Sequence, residues 1–376
     1  MSLSHAWCSI LPPHILSSIA EKGTARQREL ARRSIEASDR HRAERRAIVE
    51  GRTAATRVQA PGKSRVVFDG EQRTQLPGRQ RRVEGAPATG DAAVDEAYDG
   101  SGHTYDLYHQ VYSRTSLDDN GMRLDSTVHY GQSYDNAFWN GQQMVYGDGD
   151  EDLPEAERLF NRFTVSLEII GHELTHGVVQ FTAGLAYQDQ PGALNESFAD
   201  VFGVLVKQRR FNQTAAQADW LVGSGLFTRN VRGEAIRSLK APGTAYDDPV
   251  LGKDPQPAHM RDYQNVTHDN GGVHINSGIP NHAFYRTALA MGGSAWEKAG
   301  RIWYQTLAHP DLGAVADFQR AASLSFRVAG TLYGDGGPEQ QAVRQGWSAV
   351  GIEVSSQQPP GKKGCVVALA TLGLVP

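Results

Sequence analysis

Apolar positions along this chain change their spacing several times, and each change marks an element. Residues 1–20 contain no Asp, Glu, Lys or Arg, and Pro12-Pro13 marks a turn or a helix start. Residues 21–50 are rich in Ala, Glu and Arg with sparse Leu30, Ile35 and Ile48, which predicts a helix. Residues 51–63 are small and polar and predict a linker. A strand follows at 65–69, then a Gly/Pro/Arg loop. Ala93, Ala97, Leu107 and Val111 place a helix in 91–117. Residues 126–146 alternate in the manner of strands, with turns at Gly131-Gln132 and Asn140-Gly141. The run from Phe163 to Phe181 returns to helical spacing, and a second helix is predicted over 192–207. Beyond about 210 the pattern reads as mostly helical, broken by a long loop at 240–272, with apolar helical positions from Asn281 to Gly346. There is no internal repeat. The expected architecture is α+β: a β-rich half, an α-rich half, and a helix between them where a cleft forms.

Composition adds little to this except in its distribution. The 376 residues carry a net charge of -4, with 39% hydrophobic and 21% charged residues, as expected of a globular protein without a nucleic-acid or membrane partner. Residues 1–57 hold 11 Lys/Arg against 6 Asp/Glu, and the remainder 27 against 36. A basic leader on an acidic body suggests a segment docked partly by electrostatics. The two cysteines, Cys8 and Cys365, do not make a disulfide framework. No stretch approaches the roughly 18 apolar residues of a membrane span. The N-terminus lacks the basic start and unbroken apolar run of a secretory signal.

The chemistry is concentrated in three short strings. His172-Glu173-Leu174-Thr175-His176 places two imidazoles one turn apart on one helix face, the spacing that grips a metal ion. Glu173 beside them reaches a metal-bound water and has the position of a general base. Two solvated histidines on a surface helix would give the same letters, but Phe163, Val165, Leu167, Ile169 and Ile170 make this a core helix. Burial there demands a compensating partner. A hydrolytic zinc takes three protein ligands and keeps one position open. Glu196, 20 residues after His176 in Asn195-Glu196-Ser197-Phe198-Ala199-Asp200, completes the set, and Asp200 one turn on orients a ligand imidazole. Farther on, Asp269-Asn270-Gly271-Gly272-Val273-His274 reads as a tight loop presenting His274, which, protonated and held by Asp269, stabilises a developing oxyanion.

With these three strings in this order, residues 60–350 resemble the thermolysin-like zinc metallopeptidases. The resemblance implies a zinc endopeptidase acting on protein and peptide substrates. It implies one catalytic Zn2+ on His172, His176 and Glu196, Glu173 as base, Tyr187 and His274 as oxyanion partners, and Asp200 and Asp269 behind the histidines. Asn136 and Ala137 resemble the edge segment that binds substrate backbone, and Arg237 the arginine that binds a substrate carbonyl. Phe160, Phe163, Ile169 and Ile236 fall where the family lines its primary specificity pocket, implying cleavage on the N-terminal side of bulky apolar residues.

The short leader with Ile10-Leu11-Pro12-Pro13 is similar to the compact propeptide of protealysin-type members. It implies a zymogen inhibited by its own propeptide over 1–55, cut at about 50–60, with peptidase domains at 56–188 and 189–354. Cys8 is expected to be a small buried residue, with a thiolate cap on zinc as the alternative. The family's paired calcium site is expected to be missing, because Lys207, Leu221 and Ser224 stand where carboxylates are needed and only Glu168 and Asp219 remain. A single Ca2+ elsewhere stays open. The tail at 355–376 is expected to be disordered. Secretion without a recognisable signal is the expected localisation, the cytoplasm the alternative, and a dedicated protein inhibitor a further possible partner. An exopeptidase or an inactive binding module is disfavoured: no residues for reading a free amino terminus stand out, and Glu173, the ligands and His274 are all present.

Overall fold

The computed structural model describes residues 8–51 and 61–355, with side chains at 9–38 and 61–355. The Cys8 thiol, most of the expected processing region and the tail from 356 lie outside what is described.

The β-rich half is one six-stranded sheet in the order β1-β5-β6-β4-β2-β3. Its strands are β1 (Cys8–Ser9), β2 (Arg65–Asp69), β3 (Arg79–Val83), β4 (Leu124–Val128), β5 (Ala137–Trp139) and β6 (Met144–Tyr146). Parallel pairing joins β2 to β4 and β4 to β6; the other neighbours are antiparallel. The β5–β6 turn forms where the Asn-Gly pair predicted it, with Asn140 Oδ1 accepting from Gln142 and Gln143 N–H. The helix α3 (Ala92–Tyr112) starts at Asp91, whose side chain caps Val94 N–H, and packs on β2 and β4.

Strand β3 falls inside the expected Gly/Pro/Arg loop. Its sequence, RQRRV, has no apolar alternation because it is an edge strand facing water. Its Arg82 is nonetheless well placed: the guanidinium groups of Arg82 and of Arg65 on β2 each lie 3.7 Å from the Tyr98 ring centre, and Arg82 pairs with Asp95 at 2.9 Å.

The two central helices, α4 (Leu167–Gln180) and α5 (Asp189–Arg210), cross closely. A Cβ at Gly203 would stand 2.5 Å from the Glu168 carbonyl and 3.0 Å from His172 N, so only glycine allows the approach that brings Glu196 to the histidines.

The second half differs from its predicted pattern at 211–268, which is irregular rather than helical. It holds only the two-residue strands β7 (Leu221–Val222), β8 (Arg237–Ser238), β9 (Asp247–Asp248) and β10 (Gly252–Lys253), besides one 3-10 turn. Aspartates take over the work of a helix there. Asp248 accepts from the N–H groups of Arg232, Val250 and Leu251, and Asp254 from those of Gly243, Ala245 and Gln256. The helices α6 (Asp269–Asn276), α7 (Gly278–Met291), α8 (Lys298–Ala308), α9 (Phe318–Tyr333) and α10 (Pro338–Ser348) complete the α-rich half.

The leader forms β1, α1 (Pro13–Lys22) and α2 (Ala25–Gly51). Thr24 and Gln27 cap α2 reciprocally. Ile15, Leu16, Ile19, Leu30 and Ala31 are buried. Ser18 bonds to the Val250 carbonyl, Gln27 to the Glu157 carbonyl and His14 to Tyr246, each at 2.8 Å. The expected electrostatic docking falls largely outside the described residues, since the side chains of Arg40, Arg42, Arg45, Arg46, Arg52 and Arg57 are not among them. Among the described residues, Arg26 and Arg33 pair with Glu29 of their own helix, and the leader meets the body through apolar burial and hydrogen bonds.

Candidate metal centre and active site

Helices α4 and α5 face each other with His172, Glu173, His176 and Glu196 fully or almost fully buried between them. His172 Nδ1 meets Asp200 Oδ1 at 2.8 Å, and His176 Nδ1 meets Asn195 Oδ1 at 2.9 Å. Because both partners accept, each ring carries its proton on Nδ1 and turns an unprotonated Nε2 inward. The two Nε2 atoms stand 3.0 Å apart, Glu196 Oε1 is 3.4 Å from one, and Glu196 Oε2 is 3.6 Å from the other.

Such a set is unfavourable without a cation: two lone pairs and a carboxylate converge in a buried space, and Glu196 Oε2 has no hydrogen-bond partner. It fits zinc well. Tetrahedral ligands about 2.0–2.1 Å from the ion lie roughly 3.3 Å from one another. Among the described residues this is the one group of three His/Cys/Asp/Glu whose ligand atoms come within 4.8 Å of one another.

Glu173 sits one residue beyond His172. Its Oε2 accepts from Trp139 N–H at 2.9 Å, while Oε1 has no hydrogen-bond partner. Burial, reinforced by the Glu196 charge, pushes its carboxyl well above the usual range. Asp200 is the opposite case. Burial acts against its charge, yet Arg237 and His172 hold it well below its ordinary value. Arg237 grips it with two bonds of 2.8 Å, and Asn281 adds a third of the same length.

His274 reaches the site from a strained loop. Asp269, Asn270, Gly271 and Gly272 all have positive φ, and a Cβ at Gly271 would stand 2.0 Å from Asp189 Oδ1. Asp269 accepts from His274 N–H at 2.9 Å and meets Nδ1 at 2.6 Å. Burial opposes charge on this ring, but Asp269 and then Glu196 outweigh it and raise its pKa to about 9. The Tyr187 hydroxyl bonds to Glu196 and lies 3.2 Å from His274 Nε2.

Residues 8–11 of the leader run through this cleft as a strand antiparallel to β5, with Cys8 opposite Trp139 and Ser9 opposite Phe138. Ile10 N–H donates to the Ala137 carbonyl and Leu11 N–H to Asn136 Oδ1. The Ile10 carbonyl accepts from Arg237 Nη1. Asn136, Ala137 and Arg237 thus hold the backbone of the leader. Phe160, Phe163, Ile169 and Ile236 are buried in the same hydrophobic core as Ile10 and Leu11.

Two contributors were not anticipated. Asn195 orients His176, although it precedes Glu196 in the recognised string. The Trp139 amide holds Glu173, and as a backbone group it leaves no sequence signal.

The sequence profile of the thermolysin metallopeptidase catalytic domain matches residues 52–180, and that of the α-helical domain matches 183–352. An extracellular metalloprotease of Pectobacterium carotovorum subsp. carotovorum is 48% identical over 356 residues, 93% of this chain and 98% of that one. Protease PrtS of Photorhabdus sp. (strain Az29) is 50% identical over 295 residues, 78% of this chain and 77% of that one. The solved structure of the precursor of protealysin, a metalloproteinase from Serratia proteamaculans, superposes with a TM-score of 0.82 at 48% identity, covering 92% of this chain and 99% of that one. Two profiles spanning most of the chain, a zinc-fitting donor set and a precursor of the same architecture agree, and the chain belongs to the thermolysin metallopeptidases, as a protealysin-type zinc metalloendopeptidase made as a zymogen.

Proposed function

We propose that residues 1–55 act as an intramolecular inhibitor of a neutral endopeptidase, exported from the cell, that cuts on the N-terminal side of bulky apolar residues. The observation that carries this is the leader strand at β5, with Ile10 fully buried next to the metal centre. His172, His176 and Glu196 would hold the zinc, which when bound acidifies a water molecule and polarises a carbonyl. Glu173 takes the proton of the attacking water and returns it to the leaving nitrogen. Its raised pKa suits an acid–base group. His274 and Tyr187 donate to the carbonyl oxygen as charge develops on it. Asp200 fixes the His172 ring, Asp269 that of His274. Asn136, Ala137 and Arg237 hold the substrate backbone beyond the cut, and Phe160, Phe163, Ile169 and Ile236 shape the pocket for the side chain that follows it. The peptidase then comprises a β-rich domain at 56–188 and a helical one at 189–354.

The test is digestion of a mixed peptide pool by the matured enzyme, with cut sites read by mass spectrometry. Cuts before Leu, Ile, Phe or Val are expected to dominate. A zinc chelator is expected to stop them and added zinc to restore them. A flat cut-site distribution rejects the assigned pocket, and activity that survives chelation rejects the metal assignment.

A second part of the reading concerns calcium. Lys207 Nζ lies 2.9 Å from Glu168 Oε1, 2.8 Å from Asp219 Oδ2 and 2.9 Å from Ser224 Oγ. We infer that the ammonium replaces the paired calcium ions as the cation neutralising the buried Glu168. Burial opposes the lysine's charge, but Glu168 and Asp219 raise its pKa. Lys207→Ala is expected to lower stability by about 1–3 kcal/mol, the partial exposure of the pair tempering the cost of a stranded charge. Urea unfolding with and without millimolar calcium checks this. A wild-type midpoint that calcium raises, with the gain lost on mutating Glu168, overturns the replacement.

A further inference from the structure

Four contacts fix the direction in which the leader crosses the cleft. The Ser9 carbonyl oxygen lies 3.0 Å from His274 Nε2. The Ile10 N–H donates to the Ala137 carbonyl at 3.1 Å and also faces the Glu173 carboxylate. The Ile10 carbonyl accepts from Arg237 Nη1 at 3.0 Å, and Leu11 N–H donates to Asn136 Oδ1 at 3.0 Å. The Ser9–Ile10 peptide bond therefore has its oxygen on the donor His274 and its nitrogen on the side of the acid–base carboxylate. Hydrolysis requires that polarity: a donor where negative charge develops and a proton source at the leaving nitrogen. Ile10, the residue after the bond, is fully buried, and Leu11 is 1% exposed. A segment that merely blocked the entrance would need neither this polarity nor contacts from the groups assigned to catalysis.

We propose that Ser9–Ile10 is a self-cleavage site, distinct from the processing point near 50–60. The proposal rests on the roles given above to Glu173 and His274. Water adds its oxygen to the Ser9 carbonyl carbon and gives a proton to Glu173. The Ser9–Ile10 C–N bond breaks, and Glu173 passes the proton to the Ile10 nitrogen. The products are a chain ending in the Ser9 carboxylate and a chain beginning with the Ile10 amine. Residues 1–9 are free to leave. The segment from Ile10 onward stays, because the contacts of Ile10 and Leu11 and the buried Ile15, Leu16 and Ile19 all lie on its side of the cut. The nicked leader is a product held in place, so the first cut does not by itself open the enzyme.

The experiment follows purified, zinc-loaded full-length protein by intact mass and N-terminal sequencing. A species beginning at Ile10 is expected before any species lacking the whole leader, and is expected to be absent in Glu173→Gln. Ile10→Asp, which places a charge in a buried apolar position, is expected to slow this cut by about tenfold or more. Ser9→Ala, which leaves every backbone contact in place, is expected to be cut at the same bond and controls for misfolding. In parallel, enzyme matured by a trypsin-like protease in the Arg-containing linker is assayed on an internally quenched peptide. If that enzyme is active while Ser9–Ile10 stays whole in the full chain, self-cleavage is overturned and the peptidase assignment stands. An undiminished cut in Ile10→Asp also overturns it. If the matured enzyme is inert, the roles of Glu173 and His274 fall, and the self-cleavage falls with them.

Discussion

Glu173→Gln is expected to reduce peptide hydrolysis by about 10²–10⁴-fold, the usual contribution of a positioned acid–base group, while the protein still binds one zinc. The separation of these two effects is the informative part. Glu173 accepts from the Trp139 amide and is absent from the cluster of metal-ligand atoms, so glutamine keeps the shape and the metal but cannot take a proton. The variant is also expected to be at least as stable as wild type. The native carboxyl is fully buried near Glu196, and replacing it by a neutral amide removes a desolvation cost. Zinc content by atomic absorption, kcat on a peptide substrate and the urea midpoint together decide the matter. Loss of zinc along with activity would mean that Glu173 holds the metal and not the proton.

Arg237→Leu should cost about 3–5 kcal/mol of stability, because it strands a buried carboxylate. Arg237 is 1% exposed and bonds to both oxygens of Asp200, which has no solvent to turn to. Asp200 in turn carries His172 and Asn281. Stranding it therefore also loosens one metal-binding ring, and weaker zinc binding is expected alongside the lost stability. Adding Asp200→Asn to the variant removes the stranded charge and should recover a good part of the stability without restoring zinc affinity. The measurement is urea unfolding of the single and double variants, with zinc affinity by competition with a chromogenic chelator. An Arg237→Leu protein within about 1 kcal/mol of wild type would show that the pair contributes little to the folded state.

How much of this was legible in the sequence follows from what each group is made of. The donors of the metal centre were readable because they sit on two helices whose spacing places them on one face, and because few residue types bind zinc. The role of Asn195 was not, since it depends on the crossing of α4 and α5 that Gly203 permits. Backbone groups carry no residue signal, so the Trp139 amide was invisible. The Ser9 and Ile10 carbonyls were equally so, although the leader around them was recognised. Strand β3 hid because an edge strand of arginines has no apolar period. The apolar positions of residues 211–268 read as mostly helical outside one loop because they carry no sign that Asp248 and Asp254 gather the backbone donors. The charge imbalance of the leader was real, but it did not say which side chains face the body. Arg26 and Arg33 pair with Glu29 within α2, and Arg28 bonds to the Gly23 carbonyl just before it.

The two ends of the six-stranded sheet are protected by different means. At one end β3 presents Arg79 and Arg81, and an edge studded with charge repels the approach of another strand. At the other end β5 is Ala-Phe-Trp, and its outer side is covered by the two residues of β1. Once the leader is gone, that side offers the Ala137 carbonyl, which Ile10 N–H had held, to any extended chain, and a substrate is one such chain. A partly unfolded copy of the enzyme is another. The zymogen is therefore the form in which this edge is covered by the chain's own leader, and uncovering it is the condition of having a groove that holds an extended chain.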